Sequence, residues 1–147
     1  MRIAIAADEL VGVARVLGAE LERRGHTVSE HGALNAAERP DWAWAAAAAA
    51  QDVLAGRADQ AIVACWTGTG AAIAANKLSG IRAALCTDAQ TTSGARKWND
   101  ANVLALSLRT TSEPLLAEIL DAWFSTAPSD DPDDRDNIAH LTQLEAG

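Results

Sequence analysis

Five short apolar runs with strand character alternate along the chain with segments whose apolar residues recur at helical spacing. Arg2 to Ala7 is the first run, closed by Asp8-Glu9, and Val11 to Arg24 follows with a helical period until Gly25 stops it. His26 to Glu30 alternates like a second strand, and Pro40-Asp41 opens a long alanine-rich helix reaching about Leu54. Gln60 to Ala64 is a continuous apolar run, which reads as a buried strand. Gly70 to Lys77 predicts a short helix, Arg82 to Leu85 a fourth strand, Gln90 to Trp98 a helix, Val103 to Leu106 a fifth strand and Glu113 to Phe124 a further helix. Strands alternating with helices imply a doubly wound α/β fold: a three-layer α/β/α sandwich, Rossmann-like, with a five-stranded parallel sheet and helices on both faces. Residues 1–126 form this domain; residues 127–147 are an acidic linker followed by a short helix from Asn137 to Leu144.

In such sheets ligands bind outside the carboxyl ends of the strands, which is where Asp8, Cys65 and Asp88 fall. The stretch Cys65-Trp66-Thr67-Gly68-Thr69-Gly70 runs from the third strand into a helix start. Unpaired N–H groups at a helix N-terminus can hold an anion and favour a nearby thiolate, so a base and an anion hole would share one turn. Taken alone, the same residues read equally well as a tight turn beside an inert buried cysteine. Asn76 and Lys77 are expected to cap the following helix, and Asp88 and His140 to be structural or solvent-facing.

Charge and composition narrow the classes. Twenty acids against 12 bases give a net charge of −8, which argues against nucleic acid and, more weakly, against a polyanionic substrate. The longest apolar run, Ala43 to Ala50, is too short to cross a bilayer, and the first residues lead directly into a strand instead of a signal peptide, so a cytoplasmic location is expected. Two cysteines, Cys65 and Cys86, make neither a disulfide framework nor a zinc-type cluster, and no metal is expected.

The blocks Cys65 to Lys77, Gly80 to Cys86 and Asn99 to Leu106 resemble the ribose-5-phosphate isomerase B family, which also includes the galactose-6-phosphate isomerase subunits. The similarity extends more weakly from Met1 to about Phe124. The resemblance implies an aldose–ketose isomerase that uses no metal or organic cofactor, with Cys65 as the base that moves a proton through an enediolate. It also implies Asp8 near the sugar hydroxyls, Thr67 beside the base, and Gly68, Thr69 and Gly70 as the anion hole. Asn99 would be lent by a partner subunit and Arg109 would bind phosphate. The implied assembly is at least a homodimer with shared sites, open to tetramer formation, with the C-terminal helix packing on the partner.

Several positions depart from the family pattern. Glu9 stands where a phosphate-gripping histidine is usual, and is either a new acid/base group or a solvated loop carboxylate. The arginine-rich C-terminal run is replaced by Asp133-Asp134-Arg135-Asp136, leaving Arg135 among carboxylates. Trp98 replaces the ring-opening histidine, Trp66 a glycine, and Trp42, after Asp41, a tyrosine. Each charged hydrogen bond to phosphate is worth roughly 1.5–3 kcal/mol, so losing most of the clamp points to a non-phosphorylated or otherwise atypical substrate. Three tryptophans around the crevice would make its wall aromatic. Two other readings stay open: ordinary ribose 5-phosphate isomerisation with a clamp rebuilt from Arg109, Arg135 and Arg96, and a non-catalytic binding protein or partner subunit of a heteromer.

Overall fold

The computed structural model describes residues 1–147. Five strands, β1 (Arg2–Ala7), β2 (Thr27–Gly32), β3 (Gln60–Cys65), β4 (Ala83–Leu85) and β5 (Val103–Ser107), form one sheet of order β2-β1-β3-β5-β4. Every pairing is parallel. The helices are α1 (Leu17–Arg23), α2 (Trp42–Leu54), α3 (Thr69–Asn76), α4 (Ala89–Asn99), α5 (Glu113–Ser125) and α6 (Pro132–Ala146), and the turn Gly12–Arg15 before α1 is 3-10. The α/β sandwich expected from the sequence is thus present. No helix is long and apolar enough to cross a membrane.

The period of two along the strands sorts the core into two unlike layers. Ile3, Ile5, Ile62, Leu104 and Leu106 face α1 and α5, where Leu17, Leu21, Leu116, Ile119, Leu120 and Trp123 meet them. Ala4, Ala6, Ala61, Val63, Cys65 and Ala105 face α2 and α3, which return Ala45, Ala46, Ala49, Ala50, Ala71 and Ala75. Small residues on both sides let α2 and α3 lie close to the sheet, which accounts for the alanine run. The side chain of Cys65 belongs to this tightly packed face.

Two boundaries differ from expectation. The helix predicted over Val11 to Arg24 is split, because Gly12 takes φ +54 and starts a 3-10 turn before α1 forms. The acidic linker ends early, at Asp131, and α6 begins at Pro132 instead of Asn137. Pro132 sits in the first helical turn, Asp131 caps it by accepting from the Asp133 N–H at 2.9 Å, and Asp133 and Asp134 lie at the positive end of the helix dipole. Residues whose composition suggested a solvated linker are therefore a helix start. No residue of α6 is buried, although Leu141 and Leu144 are exposed on it.

Candidate active site

The sheet order reverses between β1 and β3, since β2 lies to one side of β1 and the remaining strands to the other. A crevice at the carboxyl ends is expected at that point. The β1–β3 register ends at the pair Ala7–Ala64, and one residue further sets Asp8 beside Cys65. Cys65 closes β3 with 5% of its surface exposed. Its carbonyl accepts from the Leu108 N–H at 2.9 Å, so the segment after β5 clamps the end of β3.

From Cys65 the chain turns sharply into α3. Gly68 adopts φ +79, a left-handed conformation that costs glycine little, and no side chain caps the helix. The leading N–H groups of α3 therefore have no intrahelical acceptor and face the crevice end of the helix. Thr67 and Thr69 share a hydroxyl–hydroxyl hydrogen bond of 2.8 Å across the turn. The Trp66 carbonyl accepts from the Ser107 hydroxyl at 2.9 Å and from the Arg109 N–H at 3.0 Å. Ser107 was not singled out from the sequence. Nothing but its place at the end of β5 distinguishes it there.

Aromatic and acidic groups surround this turn. The indole of Trp42 lies against Gly70: a Cβ at Gly70 would stand 3.0 Å from Trp42 Cδ2 and Cε3. Trp42 and Trp66 each leave about half of their surface open. Asp41, ahead of Trp42, is exposed and pairs with Arg39 at 2.6 Å. Asp8 Oδ1 is buried with no hydrogen-bond partner, and burial, then the charges of Glu9 and Asp41, push its carboxyl above the usual carboxylate range. Glu9 itself is exposed, and Arg109 is exposed with no ion pair. No group of His, Cys, Asp and Glu side chains is arranged to hold a metal ion.

The raised Asp8 value has a sign that can be checked. Folding favours the protonated form, so its charge subtracts from stability at neutral pH, and the loss vanishes as pH falls below the unfolded value of roughly 3.9. Asp8→Asn is expected to raise the melting temperature at pH 7 by about 2–4 °C, the equivalent of ~1 kcal/mol for removing a partly buried charge that faces Glu9 and Asp41. Near pH 3 the two proteins should melt together. Thermal melts at both pH values are the measurement, and a variant less stable than its parent at pH 7 would contradict the account.

Three residues assigned to the site, among them Asn99, for which the resemblance implied a partner subunit, are not in this chain's own crevice. Trp98 and Asn99 end α4, which starts beside the carboxyl end of β4 and runs back some 16 Å to the amino end of β5. Trp98 rests on Gly94, and Asn99 borders a groove between β4 and α6. Arg135 lies on α6 and pairs with Asp130 at 2.7 Å. A crossover helix must return antiparallel to its strands, so the residues before β5 lie at the opposite end of the sheet from Cys65. Within one chain, Trp42 and Trp66 are the tryptophans that stand at the turn. Arg96 is not free for a clamp either: it is buried, faces the Trp123 ring and donates to the Ala101 carbonyl.

Known proteins share this fold. The sequence profile of the family described as ribose/galactose isomerase matches residues 3–141. The chain belongs to this family. Among ribose/galactose isomerase relatives, a D-erythrulose-4-phosphate isomerase of Pectobacterium atrosepticum is 36% identical over 124 residues, 84% of this chain and 82% of that protein. A 4-deoxy-4-sulfo-D-erythrose isomerase of a Clostridium species is 34% identical over 107 residues, 72% of this chain and 67% of that one. The structure of Clostridium thermocellum ribose-5-phosphate isomerase B superposes with a TM-score of 0.89 at 33% identity, covering 99% of this chain and 98% of that one. The chain is accordingly an isomerase of the ribose/galactose isomerase family.

Proposed function

We propose that this isomerase interconverts an aldose and a ketose through an enediolate, with Cys65 as the base. The observation that carries the reading is the position of Cys65 at the strand reversal, between Asp8 and the Gly68–Gly70 turn. The Cys65 sulfur removes the proton from the carbon next to the carbonyl, leaving an enediolate whose negative oxygen is held by the leading N–H groups of α3. Returning that proton to the neighbouring carbon, with the hydroxyl proton passing between the two oxygens, completes an isomerisation with no net oxidation. Asp8 and Thr67 orient the hydroxyls, and Trp42 and Trp66 flank the carbon chain.

The distal end of the substrate is a group other than a phosphate dianion. Asp8, Glu9 and Asp41 gather negative charge at the mouth, and Arg109, whose N–H donates to the Trp66 carbonyl, is a cation there without a carboxylate partner. One relative is named for a sulfonated tetrose, a name without phosphate. The functional unit is a homodimer in which a second copy lends Trp98, Asn99 and α6, a helix with no buried residue of its own. Arg135 would then arrive with Asp133, Asp134 and Asp136, a poor phosphate clamp. Sedimentation showing a monomer at micromolar concentration would remove the shared-site part of this reading.

Solvent-deuterium incorporation followed by NMR tests the substrate class, using free tetroses and pentoses, their sulfonated analogues and their phosphates. The expectation is carbon-bound deuterium in an unphosphorylated or sulfonated sugar, with kcat/KM for the phosphates lower by roughly 10²-fold. Glu9→Gln should narrow that gap about tenfold, the equivalent of one screened charge contact. Turnover of ribose 5-phosphate at an ordinary enzymatic rate would reject the charge argument and make Arg109 the phosphate anchor. Silence across the panel would favour a non-catalytic subunit.

A further inference from the structure

The connection between β2 and α2 delivers both Asp41 and Trp42 to the site, and an ion network outside the crevice holds it. His31, near the end of β2, has a mostly buried ring whose two nitrogens both meet carboxylates. Nδ1 lies 2.9 Å from Glu38 Oε1, and Nε2 lies 2.6 Å from Asp52 Oδ2. Carboxylates only accept, so both contacts are made as hydrogen bonds when each ring nitrogen carries a proton.

The two acceptors belong to different elements. Glu38 lies in the connection, where its other contacts are the Gly32 N–H at 3.0 Å and the Asn35 amide at 3.3 Å. Asp52 is buried near the end of α2 and also accepts from Arg57 at 2.7 Å and from the Ser29 hydroxyl at 3.3 Å. Burial works against the charge on Asp52, yet the hydrogen bonds from His31 and Arg57 hold its carboxyl below the usual range. One imidazole thus bolts both the connection and the helix to the edge of the sheet. Past Glu38 the chain makes only one ion pair, Arg39 with Asp41, before α2 begins at Trp42.

We propose that His31 is a positioning residue of the isomerase site: by donating to Glu38 and Asp52 together it sets where α2 starts, and so seats Trp42 against Gly70 over the anion turn. The inference rests on the reading of that turn as the reaction site. Trp42 reaches Gly70 from the first turn of α2, so its seat depends on the register of α2 against the sheet, to which the Asp52 contact adds a polar anchor beside the packing of Ala45, Ala46, Ala49 and Ala50. Glu38 fixes the other side, the length of chain that must span from Gly32 to Trp42.

The test compares the parent with His31→Gln, which cannot donate to both carboxylates, and His31→Arg, whose guanidinium fork can. Hydrogen exchange by mass spectrometry reads the connection, and the rate of Cys65 alkylation by iodoacetamide reads the seat of Trp42 over the turn. In His31→Gln, exchange over residues 33–41 should rise about tenfold or more, as expected when charged hydrogen bonds to a loop are lost. Cys65 should alkylate several-fold faster, while exchange in β1, β3 and β5 stays at parent values. On whichever sugar the parent turns over, KM should rise more than kcat falls, because substrate contacts are loosened while the base is untouched. His31→Arg should restore all three.

Unchanged exchange over residues 33–41 in His31→Gln would overturn the proposal. So would raised exchange with parent-like Cys65 alkylation and KM, which would leave His31 a local staple only. Failure of His31→Arg to restore what His31→Gln loses would assign the effect to packing and overturn it as well. Exchange and alkylation need no turnover, so failure of the isomerase reading leaves these two outcomes decisive.

Discussion

Cys65→Ser is expected to lower proton exchange and turnover by about 10³-fold, within the 10²–10⁴ range for losing a positioned general base, while the fold is retained. Serine has nearly the volume of cysteine, so the closely packed face that holds the side chain between sheet and α2–α3 need not move. A serine hydroxyl is a far weaker base than a thiolate at neutral pH. Asp8 stands on the adjacent strand end, where the proposed reaction uses it to hold hydroxyls, and Thr67 and Thr69 are engaged with each other. Cys86 provides the control: it is equally buried, but it lies at the end of β4, separated from β3 by β5. Cys86→Ser should leave the rate within about threefold and lower stability by roughly 1–2 kcal/mol, the cost of a buried hydroxyl with an imperfect partner. Deuterium incorporation measured on both variants decides the matter. Equal activity in Cys65→Ser and the parent would remove the thiol from the mechanism.

Gly68→Ala is expected to damage stability and catalysis together. Its φ of +79 already costs an L-residue roughly 1–2 kcal/mol. The added Cβ would also stand 2.5 Å from Leu85 Cδ1, 2.9 Å from the Leu106 carbonyl carbon and 3.0 Å from its oxygen. The leucine tip can swing aside. The Leu106 backbone cannot, because β5 is held between β3 and β4. The turn must therefore lift away from β5, at an overpacking cost of about 1–3 kcal/mol more. A loss near 3 kcal/mol corresponds to a melting-temperature drop of roughly 6–12 °C for a chain of this size. Lifting the turn also moves the N–H groups at the start of α3 off the developing oxyanion, for which a loss of about 10²-fold in kcat is expected. Calorimetry and steady-state kinetics on one preparation give both numbers. A variant with parent-like melting and kcat would show that the turn is not constrained by β5 as described.

Much of this architecture was legible along the chain because it is encoded over a few residues at a time. β1, β3 and β5 were found to within one residue, since a strand buried on both faces reads as an unbroken apolar run. α2 was found from Pro40-Asp41 to Leu54, and the structure shows why its alanines recur: they face alanines of the sheet. The boundaries that moved were those where one signal masked another. The aspartates of residues 130–134 look like a solvated linker by composition, and half of them are the capped first turn of α6. The helical spacing from Val11 to Arg24 takes in Gly12, but the positive φ of that glycine starts a 3-10 turn there.

The candidate site divides in the same way. The turn from Cys65 through Gly70, with its left-handed glycine and its helix start, follows from local chain chemistry, and the sequence by itself determined that a thiol and a helix N-terminus share it. Which residues stand around the turn was decided only by the tertiary structure. The order β2-β1-β3-β5-β4 brings Asp8 next to Cys65, Ser107 behind Trp66 and Trp42 onto Gly70, while the return of α4 carries Trp98 and Asn99 to the far end of the sheet. Each of these contacts joins residues far apart in the chain through strand order, register and helix direction, quantities that no short window of residues contains.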